Sequence, residues 1–118
     1  RHFEKLFAKL PEIFPPEVPC LLHGDLWSGN FMTGNDGLVQ LIDPAVYYGH
    51  REMDIAMTKL FGGFDSSFYR YYHEYFRMEN SFEQRADVYN LYPLLIHVNL
   101  FGGHYATKVS DIIKRFVS

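Results

Sequence analysis

The chain contains 118 residues, of which 47% are hydrophobic and 18% aromatic, a composition typical of one compact globular domain. Its formal charge at neutral pH is −3, and it contains no basic run of the kind that attracts nucleic acid. It also contains no apolar stretch long enough to cross a bilayer and no signal peptide. The composition therefore predicts a globular domain that binds neither nucleic acid nor membranes.

The single cysteine, Cys20, excludes an internal disulfide and suits a reducing compartment, so we expect a cytoplasmic location. Cys20 lies in the apolar run 18–22, which predicts a small buried thiol. The chain begins at Arg1, directly in an amphipathic helix pattern, and this suggests a piece of a longer protein.

The first predicted element is a helix that begins at His2, because apolar residues recur there at helical spacing. Pro11 is expected to end this helix, and the prolines at 15, 16 and 19 predict an extended connector. Two short apolar strands, 31–33 and 38–42, flank the turn 34–37. The Asp-Gly step in that turn predicts a β-hairpin.

From residue 50 the apolar period changes from 2 to 3.6, which predicts helices up to the end of the chain. The first of them is expected to end at the glycine pair 62–63. Asp65 or Ser66 is expected to cap the second. The second helix is predicted to place one apolar stripe on the core, made of Phe68, Tyr71, Tyr72, Tyr75 and Phe76.

Ser81 with Gln84 three residues later predicts a capping box for the third helix, which Pro93 is expected to kink or divide. A last helix should follow the glycine pair 102–103. The prediction is one mainly α (α+β) domain over 1–118. It comprises a leading helix and proline-rich connector (1–19), a loop with a β-hairpin (20–48) and a helical part (49–118).

The most specific pattern is the octet 23–30, His-Gly-Asp-Leu-Trp-Ser-Gly-Asn, which fits the kinase catalytic-loop pattern His-x-Asp-Leu-x-x-x-Asn. After the predicted hairpin, Asp43 ends an apolar strand. Phosphoryl transfer needs a base for the acceptor hydroxyl and Mg²⁺ to offset the phosphate charge. Asp25 is therefore predicted to be the base, and Asn30 and Asp43 are predicted to hold Mg²⁺. His23 is predicted to orient the loop by hydrogen bonding.

Other catalytic patterns fail on particular residues. The spacing of Gly29 and Gly34 matches a P-loop, but the Lys and Ser/Thr that should follow are absent. Arg77 stands where a metalloprotease motif needs its second His, and no Gly-x-Ser-x-Gly elbow exists. A loop of capping residues remains the alternative explanation of the octet, and the hairpin that leads to Asp43 argues against it.

The octet 23–30, together with Ile42-Asp43-Pro44-Ala45, resembles the aminoglycoside phosphotransferase and choline kinase superfamily. The segments 27–30, 47–56, 60–64 and 91–102 narrow the resemblance to fructosamine (ketosamine) kinases, from about residue 20 to the end. The resemblance implies the C-terminal lobe of a protein-kinase-like fold, whose hairpin bears the metal-binding Asp. It also implies phosphorylation, by ATP with Mg²⁺, of a sugar hydroxyl on a ketosamine, either a small molecule or a glycated lysine of a protein.

The same resemblance implies Asp25 as the base, and Asn30 and Asp43 as the ligands of magnesium and its nucleotide. Asp54 matches an acid that braces the loop. Trp27 is either a wall for the sugar or a loop-packing aromatic. His97 and Asn99 lie two residues apart on a helix and so face different ways, and we expect at most one of them to line the substrate pocket.

No segment resembles an N-terminal kinase lobe, with its Gly-rich loop, strand Lys and adenine hinge. We therefore expect this chain alone to turn over ATP very slowly or not at all. Exposed apolar surface on the cleft side is expected to favour self-association. Two alternative functions stay open. One is a kinase for choline or an aminoglycoside, which an acidic pocket would favour; the other is a non-catalytic scaffold, against which the intact Asp25, Asn30 and Asp43 argue.

Overall fold

A computed structural model describes residues 2–79 and 81–117, and in these ranges the chain forms six α-helices and four short strands. The helices are α1 (His2–Ile13), α2 (Glu52–Leu60), α3 (Ser66–Tyr75), α4 (Phe82–Tyr89), α5 (Leu91–Phe101) and α6 (Gly103–Val117). The strands are β1 (Cys20–Leu22), β2 (Phe31–Thr33), β3 (Val39–Leu41) and β4 (Tyr47–Gly49), with a 3-10 turn at Ser28–Asn30. The mainly α prediction is confirmed.

The strands form two separate antiparallel pairs. In the predicted hairpin, β2 pairs with β3 and Met32 lies opposite Gln40. The second pair was not predicted: β1 pairs with β4, and Leu21 lies opposite Tyr48. This pairing brings the two ends of the segment 20–49 together and closes it into one loop-rich unit.

Helix α1 continues through Pro11 to Ile13, so the prediction that Pro11 ends the helix was wrong. The proline lies in the last turn, where the N–H of Phe14 still donates to the Leu10 carbonyl at 3.0 Å. The helix buries Leu6 in the core.

Helix α2 ends before the glycine pair 62–63, and α3 begins after Asp65, whose carboxylate accepts the N–H of Ser67 at 3.1 Å. Both predictions are confirmed. The predicted apolar stripe of α3 was half wrong, because Phe68 and Tyr72 pack on the core whereas the other three members are exposed. The exposed three are Tyr71, Tyr75 and Phe76.

The predicted capping box at Ser81 was wrong. Ser81 is left-handed (φ 67°) and its side chain makes no capping bond; its backbone carbonyl accepts the N–H groups of Gln84 and Arg85 instead. The break between α4 and α5 falls at Asn90, three residues before Pro93. Pro93 occupies the first turn of α5, where a missing N–H is tolerated because first-turn N–H groups have no helical partner.

The helices enclose two apolar clusters. The larger lies between α1, α4, α5 and α6, and comprises Leu6, Val88, Leu91, Leu94, Val109, Ile112 and Ile113. The smaller lies between α2 and α4, and comprises Ile55, Ala56, Phe82, Ala86 and Tyr89. Beside it the guanidinium of Arg85 binds the carboxylate of Glu52 through two nitrogens, at 2.9 and 2.7 Å, and this carboxylate is fully buried.

The thiol of Cys20 is exposed, so the prediction of a buried cysteine was wrong. Strand β1 buries only Leu22, and its other two side chains, including that of Cys20, lie at the surface. In the described ranges no helix combines the length and apolar character that a membrane crossing requires.

Candidate active site

The octet begins at the end of β1 and is held by a carboxylate from α2. The Asp54 side chain accepts the backbone N–H of His23 at 2.8 Å and that of Gly24 at 2.9 Å, one on each oxygen. Asp54 lies in the first turn of α2, where the helix dipole favours a negative charge. Two charge-assisted bonds therefore fix the start of the octet to the helical part of the molecule.

Gly24 cannot be replaced without strain. Its φ is +85°, and a Cβ at this position would lie 2.0 Å from the carbonyl oxygen of Ala45. The N–H of Ala45 in turn donates to the His23 carbonyl at 2.8 Å. The loop and the segment that leads to β4 therefore touch backbone to backbone, which only glycine permits.

The ring of His23 bridges the octet and the hairpin. Its Nδ1 accepts the N–H of Asp25 at 3.2 Å, so Nε2 carries the proton and donates to the carbonyl of Ile42 at 2.8 Å. Both ring nitrogens are thus engaged with the backbone.

The amide of Asn30 holds the carboxylate of Asp25. Its Nδ2 donates to Asp25 Oδ2 at 3.1 Å and to the Asp25 carbonyl at 2.9 Å. Asn30 is buried, whereas Asp25 is partly exposed. Because both bonds use the amide nitrogen, the amide oxygen remains for another partner, such as a cation.

The residue before Asp43 is bonded to the octet through its backbone, whereas Asp43 does not line the cavity beside the octet. The N–H of the preceding residue, Ile42, donates to the Asn30 carbonyl at 2.9 Å, and the Ile42 carbonyl accepts from His23. Asp43 itself is left-handed, with φ 51°, and exposed. A left-handed conformation is uncommon outside glycine but tolerated by Asp. It turns the chain sharply at the end of β3, next to Asn30.

A cavity of about 360 Å³ opens beside the octet. Asp25 of the octet and Asp54 of α2 line it, together with Tyr92, Pro93 and His97 of α5. The predicted base and one of the two predicted substrate residues therefore face the same cavity. Asn99 is exposed and does not line this cavity.

Trp27 lies outside the lining of this cavity. Its ring packs against Phe61, with ring centroids 6.3 Å apart, and a Cβ on Gly29 would clash with it. Phe61 in turn contacts His97 at 5.0 Å. Trp27 and His97 therefore belong to one aromatic row, which runs from the octet to α5 and continues from His97 to Tyr105 on α6.

Comparisons with known proteins identify the family. A family model described as "Fructosamine kinase" matches residues 2–118. The chain belongs to the fructosamine kinase family.

Individual members of the fructosamine kinase family are similar over nearly the whole chain. A "Probable ketoamine kinase" of Lactiplantibacillus plantarum is 49% identical over 83% of the chain. A chloroplastic "Protein-ribulosamine 3-kinase" of Oryza sativa subsp. indica is 41% identical over 97% of it. The chain covers 35% and 34% of these two relatives, so it spans about a third of the length of the curated relatives that it matches.

A crystal structure from Thermobifida fusca YX-ER1, provisionally assigned as a fructosamine-3-kinase, superimposes with a TM-score of 0.88 at 38% identity. The superposition covers 99% of this chain and 41% of the Thermobifida fusca chain. The fold described above is therefore that of a part of the fructosamine kinases.

The predicted metal ligands are oxygen groups, which is the ligand type of magnesium and not of a typical transition-metal site. Among the described residues, no three His, Cys, Asp or Glu side chains gather in a metal-binding group. The groups that the fructosamine kinase octet and hairpin supply are the amide of Asn30 and the carboxylates of Asp25 and Asp43. Mg²⁺ is commonly held by one or two such oxygens together with phosphate oxygens and water.

Sequence reasoning missed the tyrosines of the cavity. Tyr47 and Tyr92 line it from β4 and α5, and Tyr89 lies at its base. Burial, followed by the negative charge of Asp54, raises the pKa of Tyr47. Burial also raises the pKa of Tyr89, well beyond its ordinary value. Both phenols therefore stay neutral at physiological pH. They come from β4, α4 and α5, so only the tertiary arrangement that brings these elements to one cavity reveals them.

Proposed function

We propose that this chain is the catalytic lobe of a kinase that transfers phosphate from ATP to a sugar hydroxyl of a ketosamine. The observation that carries the proposal is the position of Asp25, which lines the 360 Å³ cavity while the amide of Asn30 holds its carboxylate. A base that accepts a proton from a bound hydroxyl needs this combination of an open face and a fixed orientation.

In this proposal each member of the polar network has a distinct task. Asp25 takes the proton of the attacking hydroxyl. Asn30, through its amide oxygen, and Asp43, through its carboxylate, would hold Mg²⁺ and with it the phosphates of the nucleotide. Magnesium supplies charge neutralisation on those phosphates. His23 and Asp54 are positioning residues, because their bonds go to the backbone of the octet and of the hairpin.

The cavity would receive the sugar. At about 360 Å³ it lies at the small end of the usual range for ligand pockets, and this suits one sugar ring and its amine. His97 lines the cavity directly. Trp27 would act on the sugar only from the rim or through Phe61, which separates it from His97. The amine substituent would extend outward, so that either a small amine or a lysine on a glycated protein fits the proposal.

The chain alone is expected to be a poor catalyst. Phosphoryl transfer depends on holding both substrates in line, and the curated relatives are about three times as long as this chain. We propose that the missing nucleotide grip is an N-terminal lobe. Under the same proposal the protein acts in the cytoplasm, where the exposed thiol of Cys20 would stay reduced.

One observation favours a second candidate function. Two carboxylates, Asp25 and Asp54, line the cavity, and an acidic cavity is what a kinase for choline or an aminoglycoside would use. A ketosamine is also an amine, so the acidity alone does not separate the two. Turnover of choline or an aminoglycoside with none of the ketosamine would favour the second candidate.

The test is an assay of the full-length protein with Mg·ATP and a ketosamine, compared with the 118-residue chain. The longer Lactiplantibacillus plantarum relative serves as a family reference. Asp25→Asn should lower kcat by about 10²–10⁴-fold, and chelation of Mg²⁺ should abolish turnover. The matched control is Asp36→Asn at the hairpin tip, an exposed Asp that also accepts a backbone N–H, and it should leave kcat unchanged. Undiminished turnover by Asp25→Asn would contradict the proposal.

A nucleotide-binding measurement separates the kinase from a scaffold. ATP with Mg²⁺ should raise the melting temperature of the full-length protein, and the Asn30→Ala variant should lose that shift. A pure scaffold would show no shift in either.

Self-association of the isolated chain is also proposed. The β2–β3 hairpin exposes large apolar side chains, each more than half exposed: Val39 and Leu41 on one face, and Met32, which lies opposite Gln40, on the other. Exposed apolar area of this kind favours association. A monomeric sedimentation profile of the chain at high concentration would count against this.

A further inference from the structure

The residues that line the cavity beside Asp25 differ in exposure, and this distinguishes the floor of the cavity from its rim. Tyr89 and Asn90 are 4% and 5% exposed and form its floor. Tyr92 is 66% exposed, Ile96 is 40% exposed and Tyr47 is 38% exposed, so these three form a rim. A ligand whose hydroxyl meets Asp25 must pass its remaining atoms across this rim.

The rim is aromatic and the electrostatic character of the cavity is negative. Tyr47 and Tyr92 approach it from β4 and from the first turn of α5. Asp25 and Asp54 contribute the formal charges, and of the described residues that line the cavity none is Lys or Arg. Burial, the negative charge of Asp54 and the neighbouring Tyr92 all raise the pKa of Tyr47, and Tyr47, Asp54 and Tyr92 all line the same cavity.

Aromatic faces beside carboxylates, without a competing cation, are a typical environment for an ammonium ion. The nitrogen of a ketosamine is a secondary alkyl amine, and such amines carry a proton near neutral pH. In a ketosamine this nitrogen lies between the sugar and the remaining substituent. With the sugar inside the cavity, the nitrogen therefore comes to the rim.

We propose that Tyr92, together with Tyr47, forms an aromatic rim that binds the protonated amine of the ketosamine and thereby selects aminated sugars over neutral ones. This inference rests on the proposed function, since it places the sugar at Asp25. It assigns amine recognition to the ring of Tyr92 and leaves the base, the metal ligands and the loop positioning to other residues.

Tyr92 is the residue to vary, because it is exposed and at the start of a helix, whereas Tyr47 lies against the catalytic loop near Gly24. Tyr92→Leu removes the aromatic ring and keeps apolar bulk, and Tyr92→Phe keeps the ring. The matched control is Tyr48→Leu. Tyr48 is also an exposed tyrosine, 73% exposed, next to Tyr47 but outside the lining of the cavity.

The experiment compares a ketosamine with its neutral ether isostere, in which oxygen replaces the amine nitrogen. Binding of each to the 118-residue chain is followed by NMR titration, and kcat/KM is measured in the full-length protein. The unaltered protein should prefer the amine, and Tyr92→Leu should lose about 3- to 30-fold of that preference. Tyr92→Phe and Tyr48→Leu should keep it.

The outcomes separate this inference from the proposed function. An equal loss of affinity for both ligands in Tyr92→Leu would show that the ring only fills space, and this would overturn the inference. Equal binding of both ligands by the unaltered chain would overturn it as well. Turnover of the ketosamine without any amine preference would keep the proposed function and remove the inference. A preference for the amine in binding, without any turnover, would support the inference and contradict the proposed function.

Discussion

The loop-rich unit 20–49 and the helical part 52–117 are stabilised in different ways. The helical part, together with Leu6 of α1, forms two apolar clusters, and it contains a buried ion pair between Glu52 and Arg85. The loop-rich unit buries few of its side chains, Leu22, Leu26 and Asn30, and all of β3 is exposed. The residues proposed for catalysis belong to the part with little core of its own.

The loop-rich unit is ordered by hydrogen bonds more than by apolar packing. Among them are the charge-assisted bonds that the backbone N–H groups of His23 and Gly24 donate to Asp54 on α2. Regions with few buried apolar contacts open locally at a lower free energy than the core. The geometry around Asp25 should therefore depend on a handful of hydrogen bonds, whereas the fold as a whole should depend on the helices.

The largest expected effect is a loss of stability in the helical part. Arg85→Met leaves the fully buried carboxylate of Glu52 without its partner, and this should lower the free energy of unfolding by about 3–5 kcal/mol in urea titrations. Arg115→Met is the control, because it breaks an exposed pair with Asp87 and should cost about 1 kcal/mol or less. Equal costs in the two variants would contradict the comparison.

The next effect separates two glycines of the loop-rich unit that share a left-handed backbone. Gly24→Ala places a Cβ against the Ala45 carbonyl, whereas Gly37→Ala at the hairpin tip meets open space. We expect a loss of about 2–4 kcal/mol at Gly24 and about 1–2 kcal/mol at Gly37, from backbone strain alone. Thermal unfolding of both variants would measure the difference, and similar values would show that the contact at Gly24 relaxes freely.

A smaller and more local effect is expected at Asp54. Asp54→Asn removes the charge and one of the two acceptors for the N–H groups of His23 and Gly24, a change worth about 1.5–3 kcal/mol. The cost should appear as local opening. Amide hydrogen exchange at 23 and 24 should accelerate while exchange in α4 and α5 stays unchanged. Faster exchange throughout would mean that the two parts unfold as one unit.

Sequence patterns predicted the parts of this molecule that depend on near neighbours. The hairpin follows from its Asp-Gly turn, α2 from its apolar period, and the start of α3 from the Asp65 cap. The pairing of Asp25 with Asn30 is also local, since five residues separate them.

The features that sequence reasoning missed depend on distant contacts. Strand β4 pairs with β1, which lies more than twenty residues earlier in the chain. No tight turn joins the two strands, so no local pattern predicts their pairing. Cys20 is exposed although it shares a face of β1 with the buried Leu22, and no local pattern distinguishes the two. The aromatic rim joins β4 to α5, so neither Tyr47 nor Tyr92 carries a local pattern that marks it.

The smallest expected effect concerns α3, a peripheral helix in which no described residue is fully buried. Hydrogen bonds from the N–H of Ser67 and the hydroxyl of Ser66 lower the pKa of Asp65 below its ordinary value. A carboxyl whose pKa is lower in the folded state stabilises that state fully above the unfolded pKa. This contribution disappears as the pH falls through the lower, folded value.

Asp65→Asn keeps an oxygen that can cap α3 but removes this titration. The unaltered chain should therefore be slightly more stable than the variant at pH 7, and the difference should vanish in acid. Melting temperatures of both chains between pH 7 and pH 2 would measure it. Because the other carboxyl groups are shared by the two chains, their titration cancels in the difference. A gap that stays constant down to the lowest pH would mean that the geometry of the cap, and not its charge, stabilises the start of α3.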